Sequence, residues 1–242
     1  THNIEIDNKM SQLKTLALVT GASKGFGVAI CQELAKRIPS IDFVLYARSR
    51  EGLQSTETII KQIRADSKVS LVTCDFGDIS TLEQSFKQSI DQTTTSGYQR
   101  YLLINNHGSL GSIEFTEKYV VGLPSLLVER DTNKTTNIQL QGLPINRQLL
   151  QKSTNNIKAF SWSPGPMDTD MQVTIRTQSV DEESKKMFTD LYTNNQLVNV
   201  NQSAGLMLDV MLENTYTSGV HLAYGEVSKA RAAAAAAAAA TS

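Results

Sequence analysis

The fold is decided by residues 16–27, which read LALVTGASKGFG. The first four residues are apolar, as in a parallel strand that helices cover on both faces. Gly21, Gly25 and Gly27 then allow a tight turn, close approach of a ligand to the backbone, and packing of the next helix on the strand. Because the first N–H groups of a helix are unpaired and lie at its positive end, this turn predicts a phosphate site.

Strands and helices alternate along the chain on the C-terminal side of this turn. Helices are predicted at 26–37 and around Leu53–Ile63 and Leu82–Ile90, and buried strands at 43–47, 69–74 and 101–105. Further along, strands at 157–162 and 219–224 enclose two more helices, one from a capping box at Ser179 to about Tyr192 and one around Ala204–Met211. The alternation predicts one α/β domain, residues 10–229, with a doubly wound parallel sheet of the Rossmann type.

Residues 111–156 break the alternation with prolines, glycines and a polar run. Residues 123–128 could form one short element and Leu149-Leu150 another. A structureless loop of this length is unusual inside a compact domain.

Composition restricts the classes of partner. The 242 residues carry a formal net charge of −1, which predicts neither nucleic acid nor an anionic membrane as a partner. Cys31 and Cys74 fit free thiols in a reducing cytoplasm, no apolar run is long enough to span a bilayer, and no metal site is predicted. Residues 1–9 are predicted to be an added leader, and the alanine-rich residues 230–242 a tag or placeholder tail.

Three strings carry a family resemblance. TGASKGFG at 20–27 resembles the TGxxxGxG cofactor loop of the short-chain dehydrogenase/reductases, NNHGSLG at 105–111 their NNAG turn, and SPGPMDTDMQ at 163–172 the segment that wraps the nicotinamide. The resemblance covers residues 15–111 and 155–222 and is strongest to the pterin-reducing members. It implies NADPH-dependent reduction of a side-chain ketone of a pterin in tetrahydrobiopterin biosynthesis, by a homodimer.

The residues after the second strand indicate which dinucleotide binds. NAD-binding sites place an acidic residue there to hold the ribose hydroxyls, whereas this chain has Arg48 and Ser49. Lys24 and Arg48 would converge on an extra phosphate, which a guanidinium can grip with two hydrogen bonds. The sequence therefore predicts NADP(H); the alternative is that both cations are solvated surface charges.

The resemblance implies the rest of the cofactor site. Asp75 and the Phe76 backbone would hold the adenine, although Asp75 could instead cap a helix. His107 replaces an alanine of the family, lies along the cofactor and is given no catalytic role. Thr169 is expected to contact the carboxamide, unless this segment is only a proline-rich turn before a helix. The remaining predicted cofactor-binding residues are Gly21, Ala22, Ser23, Lys24, Gly25, Phe26, Gly27, Asn106, Gly108, Pro164, Gly165, Met167, Asp168, Asp170, Met171 and Gln172.

The catalytic residues are not predicted. The family uses a serine, a tyrosine and a lysine that follows the tyrosine by four residues. The lysine lowers the pKa of the tyrosine. No tyrosine in this sequence has a lysine at that spacing. Ala223 stands where relatives have an aspartate that anchors the pterin. Either residues 111–156 are a misreading of a normal reductase, for example by a frameshift, or the protein has lost the active site and only binds nucleotide. A general carbonyl reductase is a further alternative.

Overall fold

The computed structural model describes residues 13–78, 85, 89, 97–108, 125–131 and 157–240. Most of the predicted helix around Leu82–Ile90, and the element at Leu149-Leu150, lie outside these residues. The elements in chain order are β1 Thr15–Thr20, α1 Gly25–Arg37, β2 Ile41–Ala47, α2 Arg50–Ile63, β3 Val69–Thr73, β4 Arg100–Asn105, β5 Ser125–Asp131, β6 Ile157–Ser163, α3 Asp170–Gln178, α4 Glu182–Thr193, α5 Val200–Glu213, β7 Val220–Ala223 and α6 Tyr224–Ala240.

The seven strands form one sheet in the order β3-β2-β1-β4-β5-β6-β7, which confirms the doubly wound fold. The expectation of a wholly parallel sheet needs one correction, because β5 is antiparallel to both β4 and β6. An antiparallel neighbour can be joined without the crossover helix that a parallel one requires, and β5 lies in the window where the helical pattern fails. Because β5 is antiparallel to both of its neighbours, β6 again runs in the direction of β4. The carboxyl ends of the other six strands therefore lie at the same edge of the sheet.

The apolar run that opens the chain is buried on both faces of the sheet. Ala17 and Val19 pack in a core with α1, α2 and α5, whereas Leu16 and Leu18 pack on the opposite face with Val44 and Tyr46. Successive side chains of a strand point to opposite faces, so a strand covered on both sides is apolar at every position. This explains the continuous run in the sequence.

The predicted capping box at Ser179 is wrong. Residues 170–178 already form α3, so Ser179 is its C-cap, and its hydroxyl accepts a hydrogen bond from the Asp181 N–H. Asp181 is the N-cap of α4, and its carboxylate accepts from the Glu183 N–H. The helix predicted around Ala204–Met211 is confirmed as α5.

The last strand ends at Ala223, and the chain continues as α6 through the alanine run. None of the residues of α6 is buried, but Arg231 donates to the Glu213 carboxylate at 2.7 Å and so ties the helix to α5. Within the described ranges, no helix is long and apolar enough to cross a membrane.

Candidate functional site

The glycine turn after β1 is shaped by backbone contacts. Gly21 has φ +63°, and a Cβ added to it would lie 2.9 Å from the His107 Cα and 3.0 Å from the Asn106 carbonyl oxygen. A Cβ on Gly27 would lie only 2.2 Å from the Gly21 carbonyl oxygen. Both positions therefore exclude any side chain, and the turn presents bare backbone at the start of α1.

One hydroxyl fastens this turn to the end of β4. Thr20 Oγ1 donates to Asn105 Oδ1 at 2.8 Å and accepts from the N–H groups of Asn106 and His107 at 2.9 and 3.1 Å. The Asn106 side-chain amide also donates to the Gly21 carbonyl oxygen at 3.4 Å. The turns after β1 and β4, predicted from separate strings, are thus one hydrogen-bonded unit.

His107 extends this unit toward the end of β3. Its ring stacks on Phe76, with centroids 4.2 Å apart and an interplanar angle of 17°. Burial lowers the pKa of His107, so the ring is neutral at pH 7. Its Nδ1 lies 2.6 Å from Asn105 Oδ1, and because an amide oxygen only accepts, Nδ1 carries the proton. Nε2 is therefore the ring nitrogen that is an acceptor.

The end of β2 lies against the glycine turn. A Cβ on Gly52, in the first turn of α2, would lie 2.8 Å from the Ser23 Cβ. The Ser49 hydroxyl caps α2 by accepting from the Gly52 N–H and donates to Glu51. Arg48 is exposed, and no described residue is its hydrogen-bond partner, so its guanidinium is available to an anion.

The end of β3 supplies Asp75 and Phe76. Asp75 Oδ1 accepts from the Gly77 N–H at 2.9 Å, so one carboxylate oxygen holds its own turn and does not cap a described helix. Asp75 is exposed and Phe76 half-buried.

The turn after β6 is fixed from α5. Ser203, which is fully buried, accepts from the Trp162 indole N–H at 3.2 Å and donates to the Pro164 carbonyl oxygen at 2.9 Å. The Val198 N–H donates to the Pro166 carbonyl oxygen at 2.7 Å. These bonds position the strand end that leads into α3.

α3 approaches the glycine turn directly. A Cβ on Gly25 would lie 3.6 Å from Thr169 Cγ2, and Lys24 Nζ donates to Asp170 Oδ2 at 2.9 Å. Lys24 also lowers the pKa of Asp170, chiefly through this hydrogen bond. In this structure the Lys24 ammonium therefore pairs with Asp170, whereas Arg48, at the end of β2, has no hydrogen-bond partner among the described residues.

Two polar groups at the start of α3 are left for a ligand. Thr169 is the N-cap of α3 but makes no side-chain capping bond. Gln172 is buried; its Oε1 accepts from Arg176 Nη1, whereas its Nε2 has no hydrogen-bond partner among the described residues. A buried N–H₂ group without a partner is unfavourable, and a bound amide, hydroxyl or phosphate oxygen would satisfy it.

The sequence missed two residues that position the site. Thr20 lies in the string TGASKGFG, which assigns it no role, although it joins two turns. Ser203 lies in no motif of the sequence. A small hydroxyl residue at the end of a buried strand was the only signal for Thr20, and a serine among apolar residues of α5 the only one for Ser203. The structure brings the predicted residues that follow β1, β2, β3, β4 and β6 to one edge of the sheet. Among them, the Met171 side chain is 42% exposed.

No tyrosine of the sequence is followed by a lysine four residues later. Burial raises the pKa of Tyr46 to about 12, and its hydroxyl lies 2.7 Å from the Ser89 hydroxyl, so Tyr46 is a poor proton donor near pH 7. Nor does any group of three metal-ligating side chains come together in the described part of the chain.

A glycine turn that opens a helix at the carboxyl edge of a doubly wound sheet defines a Rossmann-type nucleotide-binding domain. Comparison with known sequences places it more narrowly. The family model "short chain dehydrogenase" matches residues 15–121, so this part of the chain is similar to the short-chain dehydrogenases.

Its relatives among characterised proteins include sepiapterin reductases. The chain is 29% identical over 252 residues to sepiapterin reductase of Bos taurus, covering 87% of this chain and 94% of the relative. For the Mus musculus protein the identity is 25%, with coverages of 86% and 96%. The 252 aligned positions exceed the 242 residues of the entire chain, so the relative has residues with no counterpart here.

Solved structures show the same fold. A short-chain dehydrogenase/reductase from Saccharomyces cerevisiae matches with a TM-score of 0.62 and 20% identity, covering 87% of this chain and 96% of that one. L-sorbose reductase from Gluconobacter frateurii, complexed with NADPH and L-sorbose, matches with a TM-score of 0.60 and 17% identity, covering 86% and 94%.

Proposed function

We propose that this protein is an NADPH-dependent reductase that reduces a side-chain ketone of a pterin in tetrahydrobiopterin biosynthesis. The observation that carries the proposal is the bare glycine turn at the carboxyl edge of the sheet, with the exposed Arg48 beside it at the end of β2. A basic residue there favours the additional phosphate of NADP(H) over the free ribose hydroxyls of NAD.

The chain's own residues fit such a cofactor. The N–H groups that open α1, at Gly25, Phe26 and Gly27, would hold the diphosphate at the positive end of the helix. Asp75 with the Phe76 backbone would hold the adenine. The cofactor, when bound, supplies the hydride.

At the other end of the site, Thr169 and Gln172 would orient the nicotinamide. Gln172 Nε2, which has no hydrogen-bond partner in the described part of the chain, fits this role, because a carboxamide oxygen would accept its hydrogen bond. The two hydrogen bonds of the Ser203 hydroxyl, with Trp162 and Pro164, keep the turn after β6 in place. The position of this turn determines where α3 begins.

The substrate class rests on similarity to the sepiapterin reductases of cattle and mouse. By the same similarity we expect a cytoplasmic homodimer. One observation favours a second candidate function, a non-catalytic NADP-binding protein: the sequence contains no Tyr-x-x-x-Lys motif.

The experiment is calorimetry with NADPH, followed by turnover of the purified protein with sepiapterin and with simple diketones, observed as loss of NADPH absorbance. Faster turnover of sepiapterin supports the proposal, and preference for diketones indicates a general carbonyl reductase. Binding without any turnover favours the non-catalytic protein. No binding heat with NADPH or NADP would contradict all three.

A further inference from the structure

Lys24 and Asp170 join two parts of the cofactor site that are far apart in sequence. Lys24 is the N-cap of α1, in the glycine turn, and Asp170 is the first residue of α3. Their side chains are 71% and 75% exposed, and Nζ lies 2.9 Å from Oδ2. The pair therefore bridges the glycine turn and α3 on the solvent side of the site.

The rest of α3 is held mainly by its own neighbours. Arg176 bonds Gln172 one turn before it in α3, pairs with Asp168 at 3.4 Å and lies over the Tyr192 ring of α4, 4.0 Å from the centroid. Of these contacts, the one with Tyr192 joins α3 to α4, and none of them reaches the glycine turn. The glycine turn meets the start of α3 through the Lys24–Asp170 pair and through the close approach of Gly25 to Thr169.

Lys24 has a second possible partner. A lysine ammonium is a compact charge on a flexible stem, and a phosphate bound beside the turn would attract it more strongly than one carboxylate, because the phosphate carries nearly two negative charges. Binding would therefore require Lys24 to leave Asp170, or to be shared with it.

We propose that Asp170 sets the affinity for NADP(H) by competing for Lys24, and so acts as a positioning residue rather than as a ligand of the cofactor. This inference rests on the proposed function. In the free protein Asp170 holds Lys24 across the site, and on binding Lys24 moves to the extra phosphate. The competition weakens binding and favours release of the cofactor.

The test is a double-mutant cycle on the full chain, with NADPH and NADH titrated by calorimetry. We expect Asp170→Asn to tighten NADPH binding about two- to fivefold, the range of an exposed ion pair, and to change NADH binding less. In the Lys24→Gln background the same substitution should have almost no effect. Asp170→Glu, which keeps the charge, should restore an affinity near that of the wild type.

Asp190→Asn is the matched control, because Asp190 is an exposed acid paired with Lys186 within α4, and its removal changes net charge equally. It should leave the affinity for NADPH unchanged. Added salt should reduce the effect of Asp170→Asn, since salt screens an exposed pair.

Three outcomes would overturn the inference. Unchanged or weaker NADPH binding by Asp170→Asn would show that no competition exists. Equal tightening in the Lys24→Gln background would show that the carboxylate acts on the phosphate directly. Equal tightening of NADH binding would show that the effect does not depend on the extra phosphate, because NADH lacks it. If the wild type binds no NADPH, the proposed function itself fails, which is a different result.

Discussion

The glycine turn, residues 20–27, and the α3–α4 arm, residues 170–193, lie on opposite sides of the same site and are built differently. In the turn, Thr20, Ala22, Phe26 and Gly27 are buried, and neighbouring backbone atoms leave no space for a side chain at Gly21 or Gly27. The arm carries the exposed large apolar residues of the described chain, which are Met171, Val173, Val180, Met187 and Tyr192.

This difference assigns different tasks to the two regions. A turn fixed by backbone contacts is preorganised, so it can bind a phosphate without further ordering. The start of the arm contacts the turn through the exposed Lys24–Asp170 pair, and because such a pair contributes little to stability, this end of the arm can adjust its position relative to the turn. We expect substitutions in the turn to affect folding and substitutions on the arm surface to affect stability only slightly.

The largest effect is expected from Gly27→Ala. The added Cβ would lie 2.2 Å from the Gly21 carbonyl oxygen, and relieving this clash should lower the free energy of unfolding by about 3 kcal/mol. Urea unfolding followed by circular dichroism measures it. Gly225→Ala is the control, because nothing lies within 4 Å of its Cβ position; equal stability of the two variants would refute the rigid turn.

Arg48→Asp should have the next largest effect, on cofactor preference. Replacing a phosphate grip by repulsion removes a charged hydrogen bond of about 1.5–3 kcal/mol, so NADPH binding should weaken roughly 10- to 100-fold while NADH binding does not. Calorimetry with both cofactors measures this. Lys68→Asp makes the same charge change on an exposed residue before β3 and should leave the preference unchanged. If Arg48→Asp leaves the affinities for both cofactors unchanged, Arg48 does not contact the extra phosphate.

The sequence predicted the first half of the fold well for a physical reason. Strands buried on both faces are continuously apolar, and Leu16–Val19 and Phe43–Ala47 show this pattern directly. The glycine turn was predictable because its shape requires residues without side chains, and glycines can be identified directly in a sequence.

Other features depended on contacts between distant residues and were not predictable in this way. The antiparallel direction of β5 follows from its pairing with β4 and β6, not from its composition. The N-cap of α4 is Asp181 and not the predicted Ser179, because α3 extends to Gln178 and Ser179 is its C-cap. Ser203 is separated by 39 residues from the Pro164 carbonyl to which it donates, and no local pattern marks such a bond.

Ser203→Ala tests the other side of the site. It leaves the Trp162 indole N–H and the Pro164 carbonyl oxygen without their partner, which should lower the free energy of unfolding by about 1–2 kcal/mol. Urea unfolding measures it, and Ser55→Ala, on the exposed side of α2, is the control. If the free energy of unfolding changes no more than in the control, the Ser203 hydrogen bonds do not hold the turn after β6.

His107 should give a smaller effect, seen in the pH dependence of stability. Burial lowers its pKa below the 6.5 of an unfolded chain, so between these two values the unfolded state binds more protons. The contribution of the neutral ring is complete above pH 6.5 and is lost as the pH falls through the folded pKa. Urea unfolding at several pH values should show this loss in the wild type and less of it in His107→Phe. An unchanged pH profile in that variant would place the imidazole in solvent.

The smallest effect is expected on the surface of the arm, where two adjacent residues of α4 give a direct comparison. Met187 is 46% exposed whereas Phe188 is 5% exposed. Met187→Ala should change the free energy of unfolding by less than about 0.5 kcal/mol, because little apolar surface is buried there. Phe188→Ala should lower it by about 3 kcal/mol. Thermal or urea unfolding of both variants decides the matter: a large loss from Met187→Ala would show that another part of the protein, or a second copy, covers the arm, and its apolar residues would then belong to an interface.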